Sequence, residues 1–92
     1  MDLYTLSPSS IVFYGTSWCP DCRRAREVFA KQNIPYTEID IEEDVQAMTF
    51  VEKMNNGMRS VPTIVFPDGS RLVEPSNETL LQKLLSLKKI KK

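Results

Sequence analysis

The chain has 92 residues, of which 41% are hydrophobic and 26% charged, and its twelve basic and twelve acidic residues give a formal net charge of zero. This length suits one domain, and the composition is that of a folded globular protein and not of a disordered chain. The neutral balance gives no reason to expect nucleic acid as a partner, and no apolar run in the sequence is long enough to cross a membrane.

We expect a single domain over residues 1–92, with a core at about 10–87 and a basic tail at 88–92 that contains four lysines. Lysines suit the negative end of a helix macrodipole, so we interpret the tail as the solvated end of a helix. The first ten residues lack a basic segment followed by an apolar stretch, which indicates a cytoplasmic protein without a secretory signal. Nothing in the pattern requires a dimer, and we expect a monomer.

The first half of the chain predicts a strand, a helix and a second strand. The run at 11–14 is apolar and β-prone, which is typical of a buried strand. Helical spacing follows from Pro20 and ends near Asn33, because the residue before Pro35 avoids the α region. The alternation of apolar and polar residues at 36–41 predicts the next strand.

The second half predicts a helix, a hairpin and a last helix. Acidic residues at 42–44 suit the start of a helix over 45–54, which Asn55-Asn56-Gly57 would end. Strands at 63–66 and 71–73 flank a tight turn, and Ser76 caps a final helix. Apolar residues at helical spacing are expected in the core, among them Val45, Leu80, Leu81, Leu84, Leu85 and Leu87.

The resulting order, β-α-β-α-β-β-α, predicts an α/β fold. A strand, a helix and a strand in succession form a right-handed parallel unit, and the later hairpin adds antiparallel strands. We therefore expect a four-stranded mixed sheet flanked by three helices, with helices on both faces. This architecture is compatible with several functions, so the chemistry must come from particular residues.

Cysteine and histidine usage narrows that chemistry. The chain has two cysteines, Cys19 and Cys22, and no histidine. This excludes a Cys–His dyad, a Ser–His–Asp triad and any histidine metal site, and two cysteines alone cannot complete a zinc site within one chain. We expect no metal and no tightly bound cofactor. A cysteine pair at this spacing in a cytosolic protein is typical of catalytic redox use.

The position of the pair assigns separate roles to its members. It follows a strand and opens a helix, with Pro20 at a position where proline is favoured. Cys19 then lies near the N-cap, where unpaired backbone N–H groups and the helix dipole stabilise a thiolate. Cys22 follows one turn later on the same face. We assign Cys19 as the attacking nucleophile and Cys22 as the resolving thiol of a thiol–disulfide exchange.

Charged and aromatic neighbours leave two questions open. Asp21 either disfavours the thiolate by its charge or only points to solvent. The nearby Arg23, Arg24 and Arg26 offset that charge, steer anionic thiol substrates or form a solvated helix face, and the last role is the one we expect for most of them. Trp18 lies in the loop beside the reactive sulfur, which favours an exposed platform for a substrate chain.

Three segments resemble the glutaredoxins of the thioredoxin superfamily, and particularly the actinobacterial mycoredoxins. They are residues 14–22, with the sequence YGTSWCPDC, then Asn56-Gly57 with residues 59–63 around Val61-Pro62, and last Asp68-Gly69-Ser70 followed by Pro75-Ser76. The resemblance spans about 11–85 and implies a thioredoxin-like fold of the glutaredoxin type. It also implies a cis Val61–Pro62 bond against the active-site disulfide, with the backbone of Val61 pairing with substrate. The predicted substrate-binding residues are Trp18, Pro20, Arg59, Val61, Pro62, Ser76 and Asn77.

Two positions depart from related families. Phe13 stands where thioredoxins carry a buried aspartate, which disfavours a thioredoxin. The segment at 74–78 replaces the glycine-rich stretch by which many glutaredoxins hold glutathione, although a helix start at Ser76-Asn77 offers N–H donors. Mycothiol, a glutathione-like thiol or a reductase protein thus remain alternative electron sources.

The predicted function is reduction of protein disulfides or mixed disulfides by a low-molecular-weight thiol through the Cys-Pro-Asp-Cys site. The partners would be disulfide-bearing proteins, mixed disulfides and a reductase, with neither nucleic acid nor a membrane. One alternative is a thioredoxin-like electron donor recharged by a flavoprotein reductase. Others are a metal-binding module in which two chains share an iron–sulfur cluster, and a structural domain whose disulfide is incidental.

Overall fold

The computed structural model describes residues 8–90, with the side chains of residues 8–87. This part of the chain forms β1 (Val12–Gly15), α1 (Pro20–Gln32), β2 (Thr37–Asp40), α2 (Val45–Met54), β3 (Thr63–Val65), β4 (Arg71–Val73) and α3 (Asn77–Ile90). The predicted element order is therefore confirmed, and each strand begins and ends within one residue of the predicted bounds.

The strands form one mixed sheet in the order β2-β1-β3-β4. Strand β1 pairs in parallel with β2, with Val12 opposite Thr37, and the connection between them is helix α1. Strand β3 runs antiparallel to both β1 and β4. The predicted parallel β-α-β unit and the antiparallel hairpin are both confirmed.

Alternation along β1 divides the core between the two faces of the sheet. Phe13 points to the face covered by α1 and α3, where it packs with Phe29 and Leu84. Val12 and Tyr14 point to the face covered by α2. Because successive side chains of a strand face opposite ways, one buried strand anchors helices on both sides of the sheet. The expectation of helices on both faces is confirmed.

Two apolar residues expected in the core are exposed instead. Val45, the first residue of α2, is 79% exposed, because Ala47 and Val51 occupy the side of the helix that packs against the sheet. Leu85 is 37% exposed, whereas Leu80 and Leu84 lie buried one turn apart on the inner side of α3. Residues four apart share a helix face and an adjacent residue does not, so Leu85 falls outside that face.

Residues at both ends of the chain lie outside the described part of the structure. Helix α3 includes the backbone of Lys88 and Lys89, whereas Lys91 and Lys92 of the expected basic tail lie outside the described residues. Residues 1–7, on which part of the expectation about a secretory signal rests, also lie outside them. Within the described part, no helix has the length and apolar character needed to span a membrane.

Candidate active site

Cys19 occupies the N-cap of α1, as predicted from the position of Pro20. Its backbone is extended, with φ of −78° and ψ of 118°, and Pro20 is the first residue of the helix. The backbone N–H of Cys22 donates a hydrogen bond to Cys19 Sγ at 3.2 Å. The sulfur thus faces the unpaired N–H groups and the positive end of the dipole at the helix start.

Cys22 lies one turn inside the helix and is fully buried. Burial, with the hydrogen bond and the negative charge of Cys19, raises the pKa of Cys22 from its ordinary 9.0 to about 12. A hydrogen bond to the backbone of Thr16 and the charge of Arg26 act in the opposite direction. Both cysteines are present as free thiols. Cys22 is therefore the thiol that stays protonated at neutral pH.

Arg26 supports the inner side of the site from the next turn of α1. Its Nη2 donates to the carbonyl oxygen of Thr16 at 2.9 Å, and its Nε donates to Glu38 on β2. The guanidinium lies 5.6 Å from the ring centre of Phe13. Pairing with Glu38 raises the pKa of Arg26, so its positive charge is permanent. Of the three arginines considered, this one ties the helix to the sheet and does not form a solvated face.

Asp21 lies on the outer side of the helix start. It forms an ion pair with Arg24, three residues along the helix, and both side chains are about half exposed. Asp21 therefore reaches solvent, as one of the two interpretations expected, and is also partly neutralised by an arginine. Ion pairs at this spacing and exposure contribute only a few tenths of a kcal/mol, about 0.2–0.5.

A groove of about 360 Å³ opens beside Cys19. Its lining comes from the helix start, from the segment before β3 and from the end of β4, and consists of Trp18, Cys19, Pro20, Asp21, Met58, Arg59, Ser60, Val61 and Glu74. The carbonyl oxygen of Val61 lies 3.8 Å from Cys19 Sγ. The Val61–Pro62 peptide bond is cis, as the resemblance implied.

Hydrogen bonds hold the segment before β3 against the nucleophile. Thr63 Oγ1 donates to the carbonyl oxygen of Ser60 at 2.7 Å and accepts from Asn55 Nδ2 at 3.2 Å. On the other side, the N–H of Glu74 donates to the carbonyl oxygen of Pro62 at 2.8 Å. The backbone that faces Cys19 is thus tied both to the end of α2 and to the end of β4.

Trp18 is exposed beside the nucleophile, in agreement with the interpretation of an aromatic platform. It is 61% exposed and lines the groove. Its Nε1 donates to Glu42 Oε1 at 3.0 Å, and Glu42 follows β2. This bond holds the indole in one orientation at the rim of the groove.

The predicted substrate-binding residues fall into three groups. Trp18, Pro20, Arg59 and Val61 line the groove, and Pro62 is buried beneath it. Ser76 and Asn77 do not line it. Ser76 Oγ accepts from the N–H of Thr79 at 3.1 Å, which occupies one of the N–H donors expected for a substrate anion. Asn77 contributes to a different groove between α1 and α3.

Four groove residues were absent from the predicted site residues, and one of them, Asp21, had been considered only for its charge. Met58 and Ser60 lie close in sequence to Val61, and that proximity was the signal available. Glu74 belongs to the segment 74–78 that the sequence had singled out, but only the fold places it beside Pro62. Within the described part of the chain, no cluster of three or more histidine, cysteine, aspartate or glutamate side chains could hold a metal ion.

Comparison with known proteins agrees with this geometry. The glutaredoxin family model matches residues 11–71. A Mycobacterium tuberculosis protein provisionally named a glutaredoxin is 39% identical over 79 residues, which cover 86% of this chain and 94% of that protein. Mycoredoxin 1 of Corynebacterium glutamicum is 33% identical over 79 residues, which cover 86% of this chain and 98% of that protein.

A solved structure agrees as well. The crystal structure of a glutaredoxin from Archaeoglobus fulgidus superposes with a TM-score of 0.68 at 26% identity, covering 89% of this chain and 92% of that one. The resemblance drawn from the sequence is thereby confirmed. The chain belongs to the glutaredoxin family of thiol–disulfide oxidoreductases.

Proposed function

We propose that this protein reduces protein disulfides and mixed disulfides through Cys19 as nucleophile and Cys22 as resolving thiol, with a low-molecular-weight thiol as reductant. The observation that carries the proposal is the contrast between the two sulfurs. Cys19, although only 5% exposed, lines an open groove and accepts a helix N–H, whereas Cys22 is sealed in the core with a raised pKa. This arrangement supports a mechanism in which Cys19 reacts with the substrate and Cys22 acts only afterwards.

In the first step, the Cys19 thiolate attacks one sulfur of a substrate disulfide. The new bond joins Cys19 to that sulfur, the substrate S–S bond breaks, and the other substrate sulfur leaves as a thiolate that takes a proton from water. The carbonyl of Val61 and the indole of Trp18 border the approach, so a chain attached to the attacked sulfur lies between them.

In the second step, Cys22 loses its proton to solvent and attacks the sulfur of Cys19. The Cys19–Cys22 disulfide forms, the bond to substrate breaks, and the substrate has gained two electrons in all. Once Cys19 is in a mixed disulfide, its negative charge no longer raises the pKa of Cys22, while Thr16 and Arg26 still lower it. The resolving thiol therefore becomes easier to ionise at the stage where it is needed.

Two molecules of a small thiol would restore the dithiol. The first attacks the Cys19 sulfur, forms a mixed disulfide with it and frees Cys22 as a thiol; the second attacks the small-thiol sulfur of that mixed disulfide, frees Cys19 and leaves as the disulfide of the small thiol. The glutaredoxin family uses thiols of this kind, and one relative bears the name mycoredoxin. The open groove is large enough for a small thiol at Cys19. A cytoplasmic location, where such thiols are kept reduced, is consistent with this chemistry and remains a prediction.

An electron donor recharged by a flavoprotein reductase is the second candidate. The exposed, apolar Trp18 and Met58 at the rim of the groove favour it, because such side chains suit contact with a protein surface. Coupled assays separate the candidates. We expect the oxidised protein to turn over with a low-molecular-weight thiol and its reductase, and not with a thioredoxin reductase alone.

Variants of the two cysteines test the assignment of roles. We expect Cys19→Ser to abolish turnover with every disulfide, because no other thiol reaches the groove among the described residues. Cys22→Ser should keep exchange with mixed disulfides of small thiols and lose reduction of protein disulfides. Ser17→Ala, an exposed neighbour that does not line the groove, is the control and should behave as wild type. Full activity of Cys19→Ser would refute the proposal.

A further inference from the structure

We propose that Glu74 makes the groove select against disulfides that carry negative charge beside their sulfur atoms, so that its preferred small thiol is neutral or cationic. The inference rests on the proposed function, because it concerns the substrate that reaches Cys19. It depends on which charged side chains line the groove and on which of them already have a partner.

Three charged side chains line the groove, namely Asp21, Arg59 and Glu74. Asp21 is paired with Arg24, which lies outside the lining. Arg59 is the cation of the lining, and its Nε donates to Glu52 Oε2 at 2.6 Å. Glu52 belongs to α2 and also lies outside the lining. Two of the three charges are therefore paired with groups that lie outside the lining.

Glu74 is the third charged side chain of the lining. Within residues 8–87 its carboxylate forms no ion pair. Its backbone is held in the left-handed region, with φ of 48°, and its N–H donates to the carbonyl oxygen of Pro62 at 2.8 Å. The residue is thereby fixed directly after β4, next to the backbone that faces Cys19. A substrate arm seated in the groove meets one uncompensated negative charge.

The direction of the resulting selectivity follows from Coulomb's law. An arm with a carboxylate near its sulfur is repelled by Glu74 and finds Arg59 already engaged, whereas an ammonium arm is attracted. For unit charges roughly 7 Å apart in water, the effect is about threefold in rate for each unit of substrate charge. Changing an arm from anionic to cationic should thus alter the relative rate by about sevenfold at low ionic strength.

The test compares three small disulfides whose arms differ in charge: cystamine, hydroxyethyl disulfide and dithiodiglycolate. For each one, kcat/KM of the wild type is divided by that of Glu74→Gln at low salt. The intrinsic reactivity of each disulfide cancels in this ratio. We expect ratios of about 2.7, one and 0.37, in that order. They should converge toward one in about 1 M salt, where the Debye length is only about 3 Å.

Glu78→Gln is the matched control, since it removes the same charge from an exposed position nearby that does not line the groove. Its three ratios should be equal. Equal ratios for Glu74→Gln in an enzyme that still turns over all three disulfides would overturn the inference and leave the proposed function intact. Absence of turnover with every disulfide in the wild type would instead refute the proposed function, and the inference with it.

Discussion

The sulfur of Cys22 lies against the last residue of β1, where there is no room for a side chain. A Cβ on Gly15 would lie 2.8 Å from Phe13 Cε1 and 3.0 Å from Cys22 Sγ. Both of those side chains are fully buried, so neither can turn into solvent. Glycine is required here by the close approach of α1 to the sheet.

We therefore expect Gly15→Ala to destabilise the reduced protein by about 1–3 kcal/mol, the usual range for an overpacked core. The free energy of unfolding in denaturant measures this. A double-mutant cycle identifies the cause, because Phe13→Leu removes the ring atom nearest to the added methyl group. The same substitution should cost less in that background, and an equal cost in both would mean that contact with the ring is not responsible.

For individual residues, the sequence predicted a role only where the spacing of residues itself indicates the chemistry. Cys19 and Cys22 could be found because two cysteines flank the proline at a helix start. Arg26 and Glu38 are twelve residues apart, and nothing in either one's neighbourhood indicates that they meet. The segment that contains Glu74 was singled out, but the approach of Glu74 to Pro62 could not be predicted, since it depends on a left-handed backbone at a residue other than glycine.

The helices begin and end where local chemistry specifies it. Asp44 caps α2, with its carboxylate accepting from the N–H of Ala47 at 3.1 Å. Asn33 ends α1 in the left-handed conformation, with φ of 55°. Such ends are predictable because they depend on residues within one turn. The predicted anion site at Ser76-Asn77 illustrates the limit, because a local pattern indicates a helix start but not the direction that it faces.

Removal of the α2 cap should weaken the packing of that helix against the sheet. We expect Asp44→Ala to lower the free energy of unfolding by about 1 kcal/mol, because the N–H of Ala47 loses its partner. Gln46→Ala provides a control in the same helical turn at an exposed position, where the change should stay within about 0.5 kcal/mol. Equal losses for the two variants in a denaturant titration would contradict a capping role for Asp44.

In the molecule as a whole, the sheet topology brings the separate parts of the site together where β1, β2 and β4 end and β3 begins. Parallel pairing places the ends of β1 and β2 together, so that the loop with Trp18 and Cys19 meets Glu42. Antiparallel pairing places the start of β3 and the end of β4 at that same end of the sheet, with Val61 and Glu74. The order of elements could be predicted from the sequence, whereas this convergence also requires the strand order β2-β1-β3-β4.

The buried thiol links this site to the stability of the whole protein at alkaline pH. The fold raises the pKa of Cys22 from 9.0 to about 12, so folding favours the protonated form. The stabilisation is fully present below pH 9 and is lost as the pH rises toward 12, because the unfolded chain ionises first. A shift of this size corresponds to at most about 4 kcal/mol over that window.

We expect the free energy of unfolding of the reduced protein to fall more steeply between pH 8.5 and 11, values chosen to span roughly this titration, than that of Cys22→Ser. Burial also raises the pKa of Tyr36, but that contribution is common to both proteins and cancels in their difference. The oxidised wild type, which has no thiol to ionise, should follow the shallower curve of Cys22→Ser. Parallel curves for reduced wild type and Cys22→Ser would show that the fold does not hold Cys22 as a neutral thiol, and would remove the contrast between the two sulfurs on which their separate roles depend.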